Sequence, residues 1–460
     1  MTGVRRIAGL VAFGCLVWAG PAAADPVTDW NAITLQVIGA AVPPRPGPSG
    51  VLDLATVHVA VHDAVQAFEH RFKPYGSHIR HASGSRTAAV ATVARDVLLA
   101  RFAAQATFIN DTYDAYLSSR GLASNNPGVF VGQAAAADIL ALRANDGSFP
   151  VPSEIFVGGT GAGEWRPTPS FQAGPPPSFA PMAAPWLGAV EPFTKKFAEQ
   201  FRPGPPPPLT SNRYARDYNE VKGLGARFDT ALTTVIRTPG QTDLANFYND
   251  NLVALWHRTL QGIVLERGLN LGDSARLFAL ASIASADAVM TAWDSKKFFN
   301  FWRPLTAIQE GNNDGNPRTA GDPAWQPFIN TPPYSDYTSG ANNLSGSMTR
   351  VLQLFFRTDR MTFSVTSSNA VAVLNPRLYR RFSDIADDMV EVRIYQGIHF
   401  RTADVVGRLQ GRLVATQAFR HFLRPVHDRD HDRDDGDDDD DHGDDDDRDD
   451  GGHRGRDRRN

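Results

Sequence analysis

The chain has a single cysteine in 460 residues, Cys15, and it falls inside an apolar N-terminal stretch. If that stretch is removed, the mature chain has no thiol, which excludes disulfides and cysteine-ligated metal. Long uncharged apolar runs are scarce as well: beyond "IAGLVAFGCLVWAG" none reaches the roughly 18 residues of a membrane span, so the mature form is expected not to cross a bilayer. Sustained alternation of apolar and polar residues is lacking, and no internal repeat stands out. Basic clusters are few, and no nucleic-acid partner is expected.

The N-terminal stretch reads as a secretory leader. Arg5-Arg6 precedes the apolar run, and Pro21 introduces "AAAD", where Ala22 and Ala24 satisfy a small-x-small cleavage rule before Asp25. Residues 1–24 are therefore expected to be a signal peptide, and the protein to be secreted or periplasmic. Residues 427–460 contain 17 Asp and 7 Arg, a net of −10, which against the chain's −4 leaves +6 on residues 1–426, or +4 without Arg5 and Arg6. The tail does not spell a calcium loop. Counting back from Gly436, Gly443 or Gly451 puts His or Arg where a carboxylate is required, and no Glu stands at the twelfth place. It reads as a solvated, disordered polyelectrolyte.

Residues 25–426 read as an all-α, multi-helix domain punctuated by the Pro-rich passages "VPPRPGPSG", "AGPPPSFAPMAAPW" and "RPGPPPPL", which favour extended connections. Residues 51–72 place Leu54, Val57, Val61, Val65 and Phe68 on one helical face. Residues 274–302 are rich in Ala and Leu, follow a possible cap at Asp273 and stop at Arg303-Pro304. "LYRRFSDIADDMVEVRIY" and "ADVVGRLQGRLVATQAFRHFL" form a further helical pair, broken at Gly397 and restarted at Thr402.

Three separated stretches carry anion-binding groups. In "KKFFNFWRP", Lys296 and Arg303 are seven apart, two helical turns, and share a face if the helix continues. In "YTSGANN", Ser339-Gly340 can open a helix whose free N–H groups cradle an anion. In "RIYQGIHFRTADVVG", Arg393 and His399 flank the Gly397 break, and Asp404 could receive a ring N–H from His399 and leave its other nitrogen free. Singly, these are a basic helix end, a common turn and a polar turn residue; the combination points to an oxyanion site.

The combination K-x6-RP, then SG, then R-x3-G-x-H-x4-D resembles the three-part signature of the vanadium-dependent haloperoxidase and type 2 phosphatidic acid phosphatase superfamily. "DWNAI", "ATVHVAVHDAV", "WRPTP", "QFRPGPPPPLTS", "RTPGQTD" and "AWDSKKFFNFWRPLTAIQEGNNDGNP" are similar to its bacterial haloperoxidase-like branch, so the resemblance spans about Asp29 to Arg424. It implies that Lys296, Arg303 and Arg393 neutralise a bound vanadate or phosphate, with Ser339 and the Gly340 N–H adding hydrogen bonds. It implies that His399 bonds vanadium or attacks phosphorus, that Asp404 orients His399, and that Trp293 and Tyr334 form an aromatic wall.

The chain departs from the pattern at one chemically important place. Ala341 follows Ser339-Gly340 where the superfamily carries its acid-base His. Val392, before Arg393, stands in the place of a Ser. Three readings follow: an exported vanadate-dependent haloperoxidase-like enzyme oxidising halide with hydrogen peroxide, impaired by Ala341; a phosphomonoesterase with a His399 phosphoenzyme; or a non-catalytic oxyanion-binding relic. The expected partners are small molecules, and nothing in the sequence specifies an oligomeric state. His58, His62 and His257 are the first candidates to replace the lost proton carrier; His58 and His62 are one turn apart, a spacing that suits a metal, but no third ligand is evident on that face. Asp243, Asp250 and Asp287 are possible partners of the arginines.

Overall fold

The structure, a computed structural model, describes residues 25–170 and 178–426. The expected signal peptide with Cys15 and the acidic tail lie outside the described residues. Within them are 13 α-helices and only two small two-stranded sheets. The helices are α1 (Pro26–Gly39), α2 (Gly50–Glu69), α3 (Arg86–Arg101), α4 (Ala106–Ser119), α5 (Pro127–Leu142), α6 (Asn212–Leu224) and α7 (Pro239–Phe247). They continue with α8 (Leu252–Arg267), α9 (Leu271–Phe299), α10 (Pro304–Gln309), α11 (Gly340–Phe356), α12 (Phe382–Tyr395) and α13 (Arg401–His421). The strands are β1 (Pro169–Ser170), β2 (Ser178–Phe179), β3 (Arg360–Val365) and β4 (Arg377–Arg381), paired antiparallel as β1–β2 and β3–β4.

Helix α9 is the axis of the molecule. Among the described residues it alone is long and apolar enough to cross a membrane, yet its most apolar stretch is wholly buried in protein. Its many Ala and Ser residues give a slim surface on which α2, α11 and α13 pack closely. Two of its buried hydroxyls bond locally and so cost little: Ser285 donates to the Ser282 carbonyl and Ser295 to that of Thr291. The N-cap is Asn270, whose side chain accepts from the Asp273 N–H, so the sequence expectation of Asp273 as cap was three residues late. The helix ends at Phe299, where Asn300 turns left-handed with φ 46°.

The crossing of α11 over α13 depends on absent side chains. A Cβ on Gly411 would meet the Asn343 carbonyl at 2.0 Å, and one on Gly346 would meet that of Arg408 at 2.3 Å. Only glycine permits that backbone approach, which brings the start of α11 against the start of α13.

Some boundaries differ from the sequence reading. The segment from Leu378 to Arg381 begins no helix; it completes β4, paired with β3, whose side chains alternate between exposed and buried. That alternation, in "RMTFSV", is a strand signal too short to stand out among helical patterns. Helix α2 ends at Glu69 rather than Phe72, and α13 starts from Phe400, with Thr402 already inside it.

Candidate active site

Lys296 projects from the last turn of α9 and Arg303 caps α10, so the two do not share a helix face: α9 ends between them. They meet instead on the loop before α11. Lys296 Nζ donates to the carbonyls of Ser335 at 2.6 Å and Asp336 at 2.9 Å, and Arg303 Nε donates to that of Tyr334 at 2.6 Å. Arg303 Nη1 reaches the Ile398 carbonyl on the α12–α13 connection. Two cations thus pin three consecutive carbonyls, and both side chains are fully buried. Burial, then the neighbouring Arg303, pushes the Lys296 ammonium well below its usual range.

His399 lies on the α12–α13 connection, where Gly397 takes φ +77° and a Cβ would meet the Gly225 carbonyl at 2.3 Å. Its Nδ1 is 2.7 Å from Asp336 Oδ1, and Arg303 Nη1 lies 3.0 Å from Nε2 and 3.3 Å from Nδ1. Burial and then the cations Arg303, Lys296 and Arg393 push the imidazole well below its usual pKa, so the ring is neutral. Burial raises Asp336 to about 7, against the lowering pull of Arg303 and Lys296.

The expectation that Asp404 holds His399 is corrected by this geometry. Asp404 Oδ1 accepts from Asn342 Nδ2 at 2.8 Å, across the α11–α13 crossing, and the hydrogen-bonded carboxylate of His399 is Asp336. Asp336 lies three residues before Ser339, but one Asp in a Pro-rich approach loop gives no periodic signal. Ser339 is the N-cap of α11, its Oγ accepting from Asn342 N at a long 3.5 Å, and Gly340 is the first helical residue. Arg393 ends α12, with Nη1 donating to Gln396 Oε1 at 2.7 Å.

A cavity of about 360 Å³ borders this cluster at Gly340 and Arg393. Its wall includes Trp293, Tyr334, Gly340, Ala341, Leu344 and Arg393, with the Trp293 and Tyr334 rings 4.8 Å apart. Lys296, Arg303, Ser339 and His399 lie outside the cavity lining.

The histidines proposed as substitutes for the missing one are elsewhere. His58 Nε2 and His257 Nδ1 lie 2.7 and 2.8 Å from the same amide nitrogen, Asn31 Nδ2, and the two rings stack 5.8 Å apart. His62 Nε2 bonds the Lys73 carbonyl at 3.2 Å. None lines the cavity. Nor do the three aspartates partner the site arginines: Asp243 binds Arg377, Asp250 binds Arg258 and Ser368, and Asp287 binds the Phe193 and Thr194 backbone N–H groups. Asp250 does reach the cavity wall.

The donor set fits a tetrahedral oxyanion. Among the described residues, Arg303 Nη2 and Arg393 Nε are buried guanidinium nitrogens without a hydrogen-bond partner. Such orphaned donors are costly unless a ligand meets them. Three buried cations also outnumber two carboxylates, Asp336 and Asp404, both of which burial pushes toward the neutral form.

A helical bundle that gathers these groups carries a candidate oxyanion site. Residues 276–428, which include Lys296, Arg303, Asp336, Ser339, Arg393, His399 and Asp404, match the model of the VCPO second helical-bundle domain. The vanadium chloroperoxidase of Curvularia inaequalis is 30% identical over 220 residues, 41% of this chain; the match spans about a third, 35%, of that relative's length. The fold of the described residues is similar to that of solved bacterial structures. A bacterial vanadium-dependent iodoperoxidase superposes with a TM-score of 0.71 at 21% identity, covering 88% of this chain and 99% of its own. The apo-type bacterial vanadium-dependent chloroperoxidase gives 0.67 at 15% identity, covering 85% and 97%.

Proposed function

We propose that this protein binds vanadate between Lys296, Arg303, Arg393, Ser339, Gly340 and His399, and oxidises halide with hydrogen peroxide as a haloperoxidase acting after export, in the periplasm or outside the cell. The observation that carries this reading is the pair of unpaired guanidinium nitrogens, Arg303 Nη2 and Arg393 Nε, buried beside a neutral histidine. Bound vanadate would supply a Lewis-acidic centre able to polarise peroxide.

The chain's own residues do the rest. The guanidinium groups and Lys296 neutralise oxyanion charge in a water-poor setting, where such contacts act more strongly than in water. His399 offers a ring nitrogen lone pair as the covalent partner. Trp293 and Tyr334 wall the cavity and exclude water from one side. Ala341 has no proton to exchange, and loss of an acid-base group typically lowers rate about 10²- to 10⁴-fold. Slow turnover with intact oxyanion binding is therefore the expected behaviour. A phosphate ester would suffer more, because its alkoxide leaving group needs that proton.

The test is to measure iodide and bromide oxidation by peroxide with and without orthovanadate, beside hydrolysis of an aryl phosphate, in the mature protein. Vanadate-dependent halide oxidation supports the proposal. Vanadate-inhibited phosphate hydrolysis would replace it with a phosphomonoesterase. Tight vanadate binding with neither activity would make the protein an oxyanion binder.

A further inference from the structure

We propose that Asp336, rather than Asp404, is the positioning residue of His399: it holds the ring with its proton on Nδ1, so that Nε2 is the nitrogen offered to the oxyanion. The inference rests on the site assignment given above, but the tautomer can be read without any ligand.

The hydrogen-bond chemistry around the ring leaves little choice. The ring meets one carboxylate, Asp336, and one guanidinium, Arg303, which only donates. A carboxylate only accepts, and Asp336 Oδ1 stands 2.7 Å from Nδ1. The single ring proton belongs between them. Arg303 Nη1 is nearly equidistant from both ring nitrogens, at 3.0 and 3.3 Å. A guanidinium only donates, so its closer contact at Nε2 favours that nitrogen without a proton. Nε2 keeps its lone pair.

Asp336 is also held as a positioning group should be. Its N–H donates to the Phe301 carbonyl at 2.9 Å, its own carbonyl accepts from Lys296 at 2.9 Å, and its side chain is fully buried. A ligating histidine that gives its other N–H to a carboxylate is fixed in orientation and made more basic. Asp404, bonded to Asn342, instead ties the first turn of α11 to α13 beneath the Ser339-Gly340 cradle.

The experiment is long-range ¹⁵N–¹H NMR of the imidazoles in the mature full chain, ligand-free at neutral pH, with His399→Gln to assign the signal. Wild type should show Nδ1 protonated and Nε2 bare. Asp336→Asn, whose amide can donate to Nδ1, should move the proton to Nε2, whereas Asp404→Asn should leave the tautomer unchanged. Orthovanadate and inorganic phosphate are then titrated by calorimetry. Asp336→Asn should weaken vanadate about 10- to 100-fold, as loss of an outer partner of a metal ligand does, and leave inorganic phosphate, held without a bond to His399, nearly unchanged. A wild-type ring protonated on Nε2, or a tautomer that responds to Asp404→Asn but not to Asp336→Asn, overturns the proposal. If neither anion binds wild type, the site assignment fails while the tautomer result still stands or falls alone. Should Asp336→Asn not fold, the wild-type spectrum and Asp336→Glu decide: Glu should retain the Nδ1–H form.

Discussion

Gly340 has no room for a side chain because of Trp293: a Cβ there would stand 2.8 Å from Trp293 Cζ3. Trp293 is itself fixed, buried and donating Nε1–H to the Ala183 carbonyl at 2.9 Å. The first residue of α11 and the aromatic wall of the cavity are therefore one unit. Gly340→Ala should destabilise the protein by about 1–3 kcal/mol, the usual cost of overpacking, and weaken vanadate and phosphate binding together. Thermal unfolding and anion titration read both effects. Unchanged stability and affinity would mean that Trp293 yields freely.

Ala341 shares the cavity wall with Gly340 and Arg393, so a larger side chain at 341 would point to open space rather than into core. Ala341→His should raise vanadate-dependent halide oxidation, by about 10²-fold or more if the imidazole takes up the acid-base role. The measurement is kcat at saturating vanadate across pH. A mutant with full vanadate affinity and no gain at any pH would place the limitation elsewhere.

Arg393→Gln should cost about 1.5–3 kcal/mol of anion binding, the range for a hydrogen bond to a charged group, equivalent to roughly 10- to 100-fold in Kd. Because Arg393 is buried, the loss should be nearly independent of ionic strength. Arg303→Lys should be more damaging to stability, since Arg303 also holds the carbonyls of Tyr334 and Ile398. Calorimetric titration in low and high salt checks the first statement and urea unfolding the second.

Acid should weaken the fold through its buried histidines. Burial lowers His62 and His257 to about 3, far below the ordinary value near 6.5. A group whose folded pKa is depressed contributes stability that is complete above its unfolded pKa and is lost as pH falls toward the folded one. Each contributes up to about 1.4 kcal/mol per pH unit across that window. Asp63, raised to about 7 by burial, acts oppositely: its contribution is present below about 4 and is lost as pH rises toward 7. Asp336, also raised to about 7, acts with Asp63, so the histidine contribution is read as a difference: on going from pH 7 to pH 5 in urea unfolding, His62→Gln should retain more stability than wild type, by up to about 2 kcal/mol. Equal changes in the two proteins would mean that His62 is protonated without opening the fold.

The sequence alone carried the helical class, the long central helix and most of the residues that cluster at the candidate site. Helical periodicity and residue spacing are local properties, and the three motif stretches each stay within a few turns of chain. Lys296, Arg303, Ser339, Gly340, Arg393 and His399 could be named from such spacing and from resemblance. What joined them was beyond that reach. The end of α9 at Asn300 separates Lys296 from Arg303, and the loop of Tyr334, Ser335 and Asp336 reunites them through its carbonyls. The choice of Asp336 over Asp404 as the partner of His399, and the removal of His58, His62 and His257 from the cavity, were decided by how α11, α13 and the approach loop pack. Hydrogen-bond partners follow from three-dimensional proximity, and residues 63 positions apart, such as Asp336 and His399, acquire that proximity only when the bundle closes.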